Sequence, residues 1–324
     1  MDQDYTHFES YEDLLAREGF RPRLEFHPQG ERKMSDVLWP YKFLEKVNCG
    51  ISVCRQLHYH GYLITTSDGL ETGIGVDCGR KYFGLKFTRQ RQRVDQEVAR
   101  RQRIRAVKGM IDQLPAMVST LAQIKADYQD LQDQKQRLMG AIGPGIYAAL
   151  KQRAEKDGAK ITRIVRLIGK DLEAYYATTN KPKGRQDDAP HREELIATLE
   201  GLAFVRARMK DVLITNLLEP LQALSKCKPD EVGQWKVREL QKTAKWVGEV
   251  PQNLIKVQEL IAAGRRFFTS ENIANLVHIG APAGPLAQFV ADLKTEEQKR
   301  TITAPAISPV RALDSFEEKE EINE

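Results

Sequence analysis

The sequence predicts a mainly α protein that begins with a small α+β module and continues in long helices, one stretch of them coiled-coil-like. Three observations predict it. From His58 to Cys78, strand-prone residues (Tyr59, Tyr62, Leu63, Ile64, Thr65, then Thr72, Ile74, Val76) flank the turn Ser67-Asp68-Gly69, which is the pattern of a β-hairpin. From about Arg89 onward that alternation gives way to long runs of Ala, Leu, Gln, Glu, Lys and Arg. Between Val107 and Leu131, apolar residues recur at Val107, Ile111, Leu114, Val118, Leu121, Ile124, Tyr128 and Leu131, the three-and-four spacing of a coiled-coil seam.

In chain order, residues 1–88 form the N-terminal module. Its first 47 residues read as an irregular layer with a short helix over Tyr11 to Glu18. The hairpin follows, and Cys78 opens one or two helical turns that stop at Gly84. Residues 89–178 form a basic, coiled-coil-like helical region in which Pro115 should kink or break the helix near Leu114. Gly140 to Gly145 reads as a turn, and a second helix runs from about Ile146 to Thr178 with an interruption at Asp157-Gly158. Residues 179–190 are polar, carry two prolines and a glycine, and read as a linker. Residues 191–300 read as helical throughout: a long helix from His191 to Ser225, then shorter ones over Val232 to Val247, Asn253 to Ala263 and Ser270 to Val277, the last capped by Ser270. Residues 301–324 lose all periodicity and end in an acidic tail that is expected to be disordered.

A chain of 324 residues with 41% hydrophobic residues can bury a substantial core. Its apolar runs are too short for a membrane span, and the start Met1-Asp2-Gln3-Asp4 lacks the features of a secretory signal, so a cytoplasmic protein without membrane partners is expected. The four cysteines then favour metal over disulfides, because three of them fall within thirty residues beside a His-x-His.

Those residues carry the chemistry. Cys49, Cys54 and Cys78 supply three thiolates, and His58 or His60 supplies an imidazole from one side of a strand. Tetrahedral Zn²⁺ takes four such ligands, and three Cys with one His is a usual structural set. A hairpin of about twenty residues returns its far end to its origin, which brings Cys78 back towards the cysteine pair. The stretch Cys49 to Gly84, with Gly61-Tyr62, Asp68-Gly69, Gly75-Val76-Asp77-Cys78 and Phe83-Gly84, resembles a treble-clef-type zinc module and is similar to short zinc modules of bacterial and bacteriophage proteins. The resemblance covers about a tenth of the chain, and it departs from the type in its Cys-x4-Cys knuckle and in its single helix cysteine. It implies Zn²⁺ as cofactor, a fourth ligand from the hairpin, and recognition of nucleic acid or protein. A catalytic zinc would need an open position and a nearby acid or base, for which only Asp68, Glu71 and Asp77 stand close in sequence.

A basic run follows at once. Arg80, Lys81, Lys86, Arg89, Arg91, Arg93, Arg100, Arg101, Arg103, Arg105 and Lys108 face only Asp95 and Glu97, a local excess of nine positive charges. Arginine suits bidentate contacts to phosphate, so Arg89, Arg91, Arg93, Arg100, Arg101, Arg103, Arg105 and Lys108 are the expected nucleic-acid contacts. A solvated helix face balanced by acids from elsewhere is the bland alternative. No catalytic constellation stands out, so the sequence reads as a non-enzymatic, zinc-containing, nucleic-acid-associated protein that binds phosphate backbone. The alternative is a protein-interaction adaptor or scaffold, of phage or mobile-element origin, that docks or self-associates through the helical seam.

Overall fold

A computed structural model of the chain describes residues 8–26, 31–54, 56–179 and 190–303. Residues 180–189 of the expected linker at 179–190, and 304–324 of the expected tail at 301–324, lie outside the described residues, while Thr179 and residues 301–303 end helices. Long helices follow a small α+β module, as the sequence predicts, and the sheet of that module has three strands where a hairpin was expected. The chain divides into two compact units, one built from Met1–Asp112 and Cys227–Gly248, the other from Gln113–Lys226 and Glu249–Glu324. Among the described residues no helix is long and apolar enough to cross a membrane.

In the first unit the short helix α1 (Tyr11–Leu15) precedes the antiparallel strands β1 (Met34–Asn48), β2 (Leu57–Thr66) and β3 (Glu71–Gly75), ordered β1-β2-β3. β2 is central and covered on both faces, which is why Tyr62, Leu63 and Ile64 form an unbroken apolar run. Successive strand residues point to opposite faces. Tyr62 and Ile64 therefore join Met34, Ile74 and Phe87 in one core cluster, while Leu63 joins Tyr41, Phe43, Leu14 and Phe20 in the other. β1 corrects the expected irregular layer. Its alternation is broken by register shifts between Met34 and Val37, Val37 and Trp39, and Lys42 and Val47, so no period of two is visible in sequence. Pro40 fits because β1 is an edge strand, where a missing N–H costs least.

The helix α2 (Val76–Glu155) starts in this unit and continues into the other. It is helical throughout but not straight. Gly84 and Gly143 adopt left-handed φ values of +55° and +78°, which side chains other than glycine rarely take. The bend at Gly84 lets Phe87 return over Gly79: a Cβ on Gly79 would stand 2.4 Å from ring carbons of Phe87. Across the second bend, Lys135 Nζ lies 5.8 Å from the Tyr147 ring centre. In a straight helix those residues would be separated by about 18 Å along the axis. The turn expected at Gly140 to Gly145 is therefore present as a change of direction at the left-handed Gly143, with helix on both sides of it. Pro115 does not break the helix, and Leu114 beside it is buried. The seam is not continuous, since Val118 is 63% exposed while Leu114, Ile124 and Leu131 are buried.

The second unit departs furthest from the sequence reading. β4 (Lys160–Arg166) and β5 (His191–Thr198) form an antiparallel two-stranded sheet where helix was expected on both sides of the linker. β4 carries Ile161, Thr162, Ile164 and Val165, and pairing with β5 overrides the helical spacing of Leu195 and Leu199. Between the strands lies α3 (Gly169–Thr179), and after β5 come α4 (Leu202–Arg206), a π-helical stretch (Lys210–Leu218) and α5 (Glu219–Leu224). α6 (Val237–Phe267) begins in the first unit and runs through Pro251 as a single helix where two were expected. In α7 (Ser270–Ala274) the cap is Thr269, which accepts the Asn272 N–H, because Ser270 is held by Glu297 through its N–H and hydroxyl at 2.9 Å each. α8 (Ala283–Thr303) completes the described chain, and its Asp292 and Glu296 pair with Arg137 of α2.

Gly79→Ala should destabilise the first unit by about 1–3 kcal/mol through overpacking against Phe87. Denaturant unfolding of the variant checks it. An unchanged midpoint would mean that the Phe87 ring moves aside freely.

Candidate metal centre

Cys49 follows the last residue of β1, Cys54 lies in the loop to β2, and Cys78 occupies the first turn of α2 directly after β3. The order is loop pair, hairpin, helix. The loop is held by its own backbone: Cys49 N–H donates to Gln56 O at 3.0 Å, Cys54 N–H to Ile51 O at 2.8 Å, and Gly50 N–H reaches Gly73 O at 2.7 Å. The last bond pins the loop to β3, the strand that delivers Cys78. Around the sulfurs, the N–H groups of Ile51 and Gly75 point at Cys49 and that of Gln56 points at Cys54.

The three Sγ atoms all lie within 4.8 Å of one another, and Cys54 and Cys78 approach to 3.2 Å. All three cysteines are free thiols. Sulfurs about 2.3 Å from a common tetrahedral ion stand about 3.8 Å apart, so three sulfurs this close could hold one metal ion. The electrostatics agree. Burial pushes the Cys49 and Cys78 thiols up from their ordinary value, with added repulsion from neighbouring sulfurs. Cys54 is the least buried of the three, and the N–H of Gln56 and its sulfur neighbours outweigh burial and bring it down. Three thiolates cannot be ionised together here without a cation among them, and a metal ion reverses that penalty.

The histidines divide. His60 is exposed and pairs with Lys42 in the β1–β2 register, and neither histidine belongs to the group of mutually close ligand atoms. His58 is half-buried beside that group. Its Nε2 is 2.7 Å from the Tyr41 hydroxyl, and its Nδ1 is buried with no hydrogen bond of good geometry, although the Gln56 backbone lies near enough to favour a protonated ring. A Cβ on Gly75 would stand 3.3 Å from that Nδ1, and the Gly75 N–H points at Cys49. Sequence spacing could not separate the two histidines. The separating signal is Tyr41, which reaches His58 from β1 across the strand pair.

The basic run is also divided. Arg91 pairs with Asp95 at 3.7 Å and Arg101 with Glu97 at 2.7 Å, while the Arg100 guanidinium donates to the carbonyls of Gly233 and Trp235. Arg89, Arg93 and Arg105 are exposed, and Arg103 and Lys108 are half-exposed. Arg93, Arg100 and Arg103 line a cleft of 1360 Å³ in the first unit, together with Trp39, Asp36 and the Arg17–Glu71 ion pair. The acids there are already engaged: Tyr62 donates to Asp95 at 2.7 Å and Gln90 to Asp36 at 2.9 Å. Tyr82 and Phe83 pack against the core cluster and Phe87 is fully buried within it, so these rings serve the fold rather than a bound base.

Comparison of the chain with protein-family models, with curated proteins and with solved structures finds no match.

Tyr41→Phe leaves His58 Nε2 without its partner. It should cost about 1–2 kcal/mol, the penalty of an orphaned buried polar atom, measured by denaturant unfolding at neutral pH. A variant as stable as the parent would show that water replaces the phenol.

Proposed function

We propose that the first unit is a zinc-stapled platform which presents arginines to nucleic-acid phosphates and performs no chemistry at its metal. The observation that carries the metal is the convergence of three thiols within 4.8 Å from a loop, a strand end and a helix start. His58 is the fourth ligand through Nδ1. A metal-bound imidazole commonly anchors its other nitrogen on a hydrogen-bonding group, and Tyr41 is that group here. Three thiolates and one imidazole close the coordination shell, so the zinc is structural. The sequence order of loop pair, hairpin and helix supports the likeness to a treble-clef module.

The nucleic-acid reading rests on the cations left over after internal pairing. Arg89, Arg93 and Arg103 share one face of α2 by helical spacing with Arg100, which is tied down by the carbonyls of Gly233 and Trp235. Contacts of this kind fix position on a phosphate backbone without reading sequence. A second reading, a protein-interaction adaptor, is favoured by the exposed Leu44, Val53, Leu57 and Leu85 of the same unit.

Protein purified without added metal should carry about one Zn²⁺ per chain, and Cys78→Ser should lose it while keeping most of its helical circular dichroism. Less than about a tenth of an equivalent in intact wild-type protein would remove the metal assignment. For the surface, replacing Arg89, Arg93 and Arg103 by Gln should lower the slope of log affinity against log salt by as much as about 3, equally for unrelated duplexes. The paired Arg91 and Arg101 should matter less. A wild-type protein that binds neither DNA nor RNA at about 50 mM salt, where phosphate contacts are strong, hands the function to the adaptor reading.

A further inference from the structure

We propose that the second unit carries a separate binding site for a phosphoryl group, in a small cationic cavity where α2 bends back on itself. The cavity measures 200 Å³, and its wall includes Lys135, Lys151, Arg208 and Lys210. Arg206 also lines it and pairs with Asp157 at 3.0 Å. No carboxylate belongs to the wall among the described residues. Tyr128 and Tyr147 complete it.

The geometry explains why the cations meet. Lys135 precedes the bend at Gly143 and Lys151 follows it, and the reversal brings the two ammonium groups close enough to repel. Lys135 is half-buried, with its Nζ over the Tyr147 ring at 5.8 Å. Burial first, and Lys151 second, pull its pKa below the ordinary lysine value. From the other side, α4 ends at the extended residue Ala207 (φ −70°, ψ 141°) and the π-helical stretch begins at Lys210. Met209 is buried between them and anchors the segment, so Arg208 and Lys210 stay exposed at the lip. Like charges held together in a concave wall are stabilised by an anion placed among them, and ammonium and guanidinium groups around one centre suit a phosphoryl dianion. Burial raises the Tyr147 phenol to about 12, so it stays protonated and able to donate. At 200 Å³ the cavity takes a phosphoryl group and little more. It lies below the range of about 300–1,000 Å³ that encloses a whole drug-sized ligand. The rest of a phosphate monoester would extend into solvent.

Titration of the full-length protein with inorganic phosphate, followed by calorimetry, tests the site. Saturable one-to-one binding is expected, weakened about tenfold or more by Lys135→Met, which keeps the apolar stem of the side chain. Lys210→Met, an exposed position with no part in the core, should weaken it too and guards against a folding defect in the first variant. Phosphate binding that is kept in both lysine variants and lost in Arg93→Gln with Arg103→Gln would place the anion on the arginine face of the first unit and overturn the proposal. Adenosine 5′-monophosphate identifies the source: affinity equal to that of phosphate indicates free phosphate, and tighter binding that is also lost in Lys135→Met indicates a monoester. Failure to saturate, or affinity unaltered in both lysine variants, overturns the proposal.

Discussion

The closure of Cys78 onto Cys49 and Cys54 is the constraint on which the first unit depends. It requires β2 and β3 to return the chain to the end of β1 and requires α2 to start where β3 stops. Two backbone bonds of the loop serve that meeting, Cys54 N–H to Ile51 O at 2.8 Å and Gly50 N–H to Gly73 O at 2.7 Å. The same closure sets the first turn of α2 over the sheet, and the bend at Gly84 then lays Phe87 into the core formed by Tyr62, Ile64 and Ile74. A metal ion at the sulfurs would therefore hold together three pieces of chain that otherwise rely on a modest apolar core. Without one, crowded thiols resist ionisation and add little.

Charge in this protein is organised by pairing rather than by composition. A run that carries a local excess of nine positive charges loses Arg91 and Arg101 to acids one helical turn away and Arg100 to backbone carbonyls. What remains for a partner is a narrower face that borders a cleft whose acids are already engaged. In the second unit the balance is reversed. Lys135 and Lys151 of α2 meet the short basic stretch Arg206 to Lys210 in a cavity with no acid in its wall among the described residues. The cations there are gathered from segments far apart in sequence.

Both concentrations of charge depend on glycines that redirect one long helix. Gly84 and Gly143 have open space around the position of a side chain, so conformation and not crowding selects glycine there. Each bend returns a residue across the turn onto something that precedes it, Phe87 onto Gly79 and Tyr147 onto Lys135. The helix supplies cheap, regular backbone, and two left-handed residues convert it into packed structure.

The sequence by itself determined the features whose causes are local. The β2–β3 hairpin follows from strand-prone residues around Asp68-Gly69 and the helical character from composition, although α2 bends at Gly84 where it was expected to stop. The cysteine cluster was legible because a hairpin of fixed length links its members. Tertiary structure decided what depends on partners distant in sequence. β1 is a strand because β2 covers it despite its register shifts, and β4 and β5 are strands because each completes the other's hydrogen bonds across about thirty residues, overriding a helical spacing that either segment alone would satisfy. The difference between half-buried His58 and exposed His60 is of the same kind, since it rests on Tyr41 reaching across the sheet. Periodicity records what a segment prefers in isolation, whereas pairing, burial and the meeting of charges are settled only when the other half of each interaction arrives.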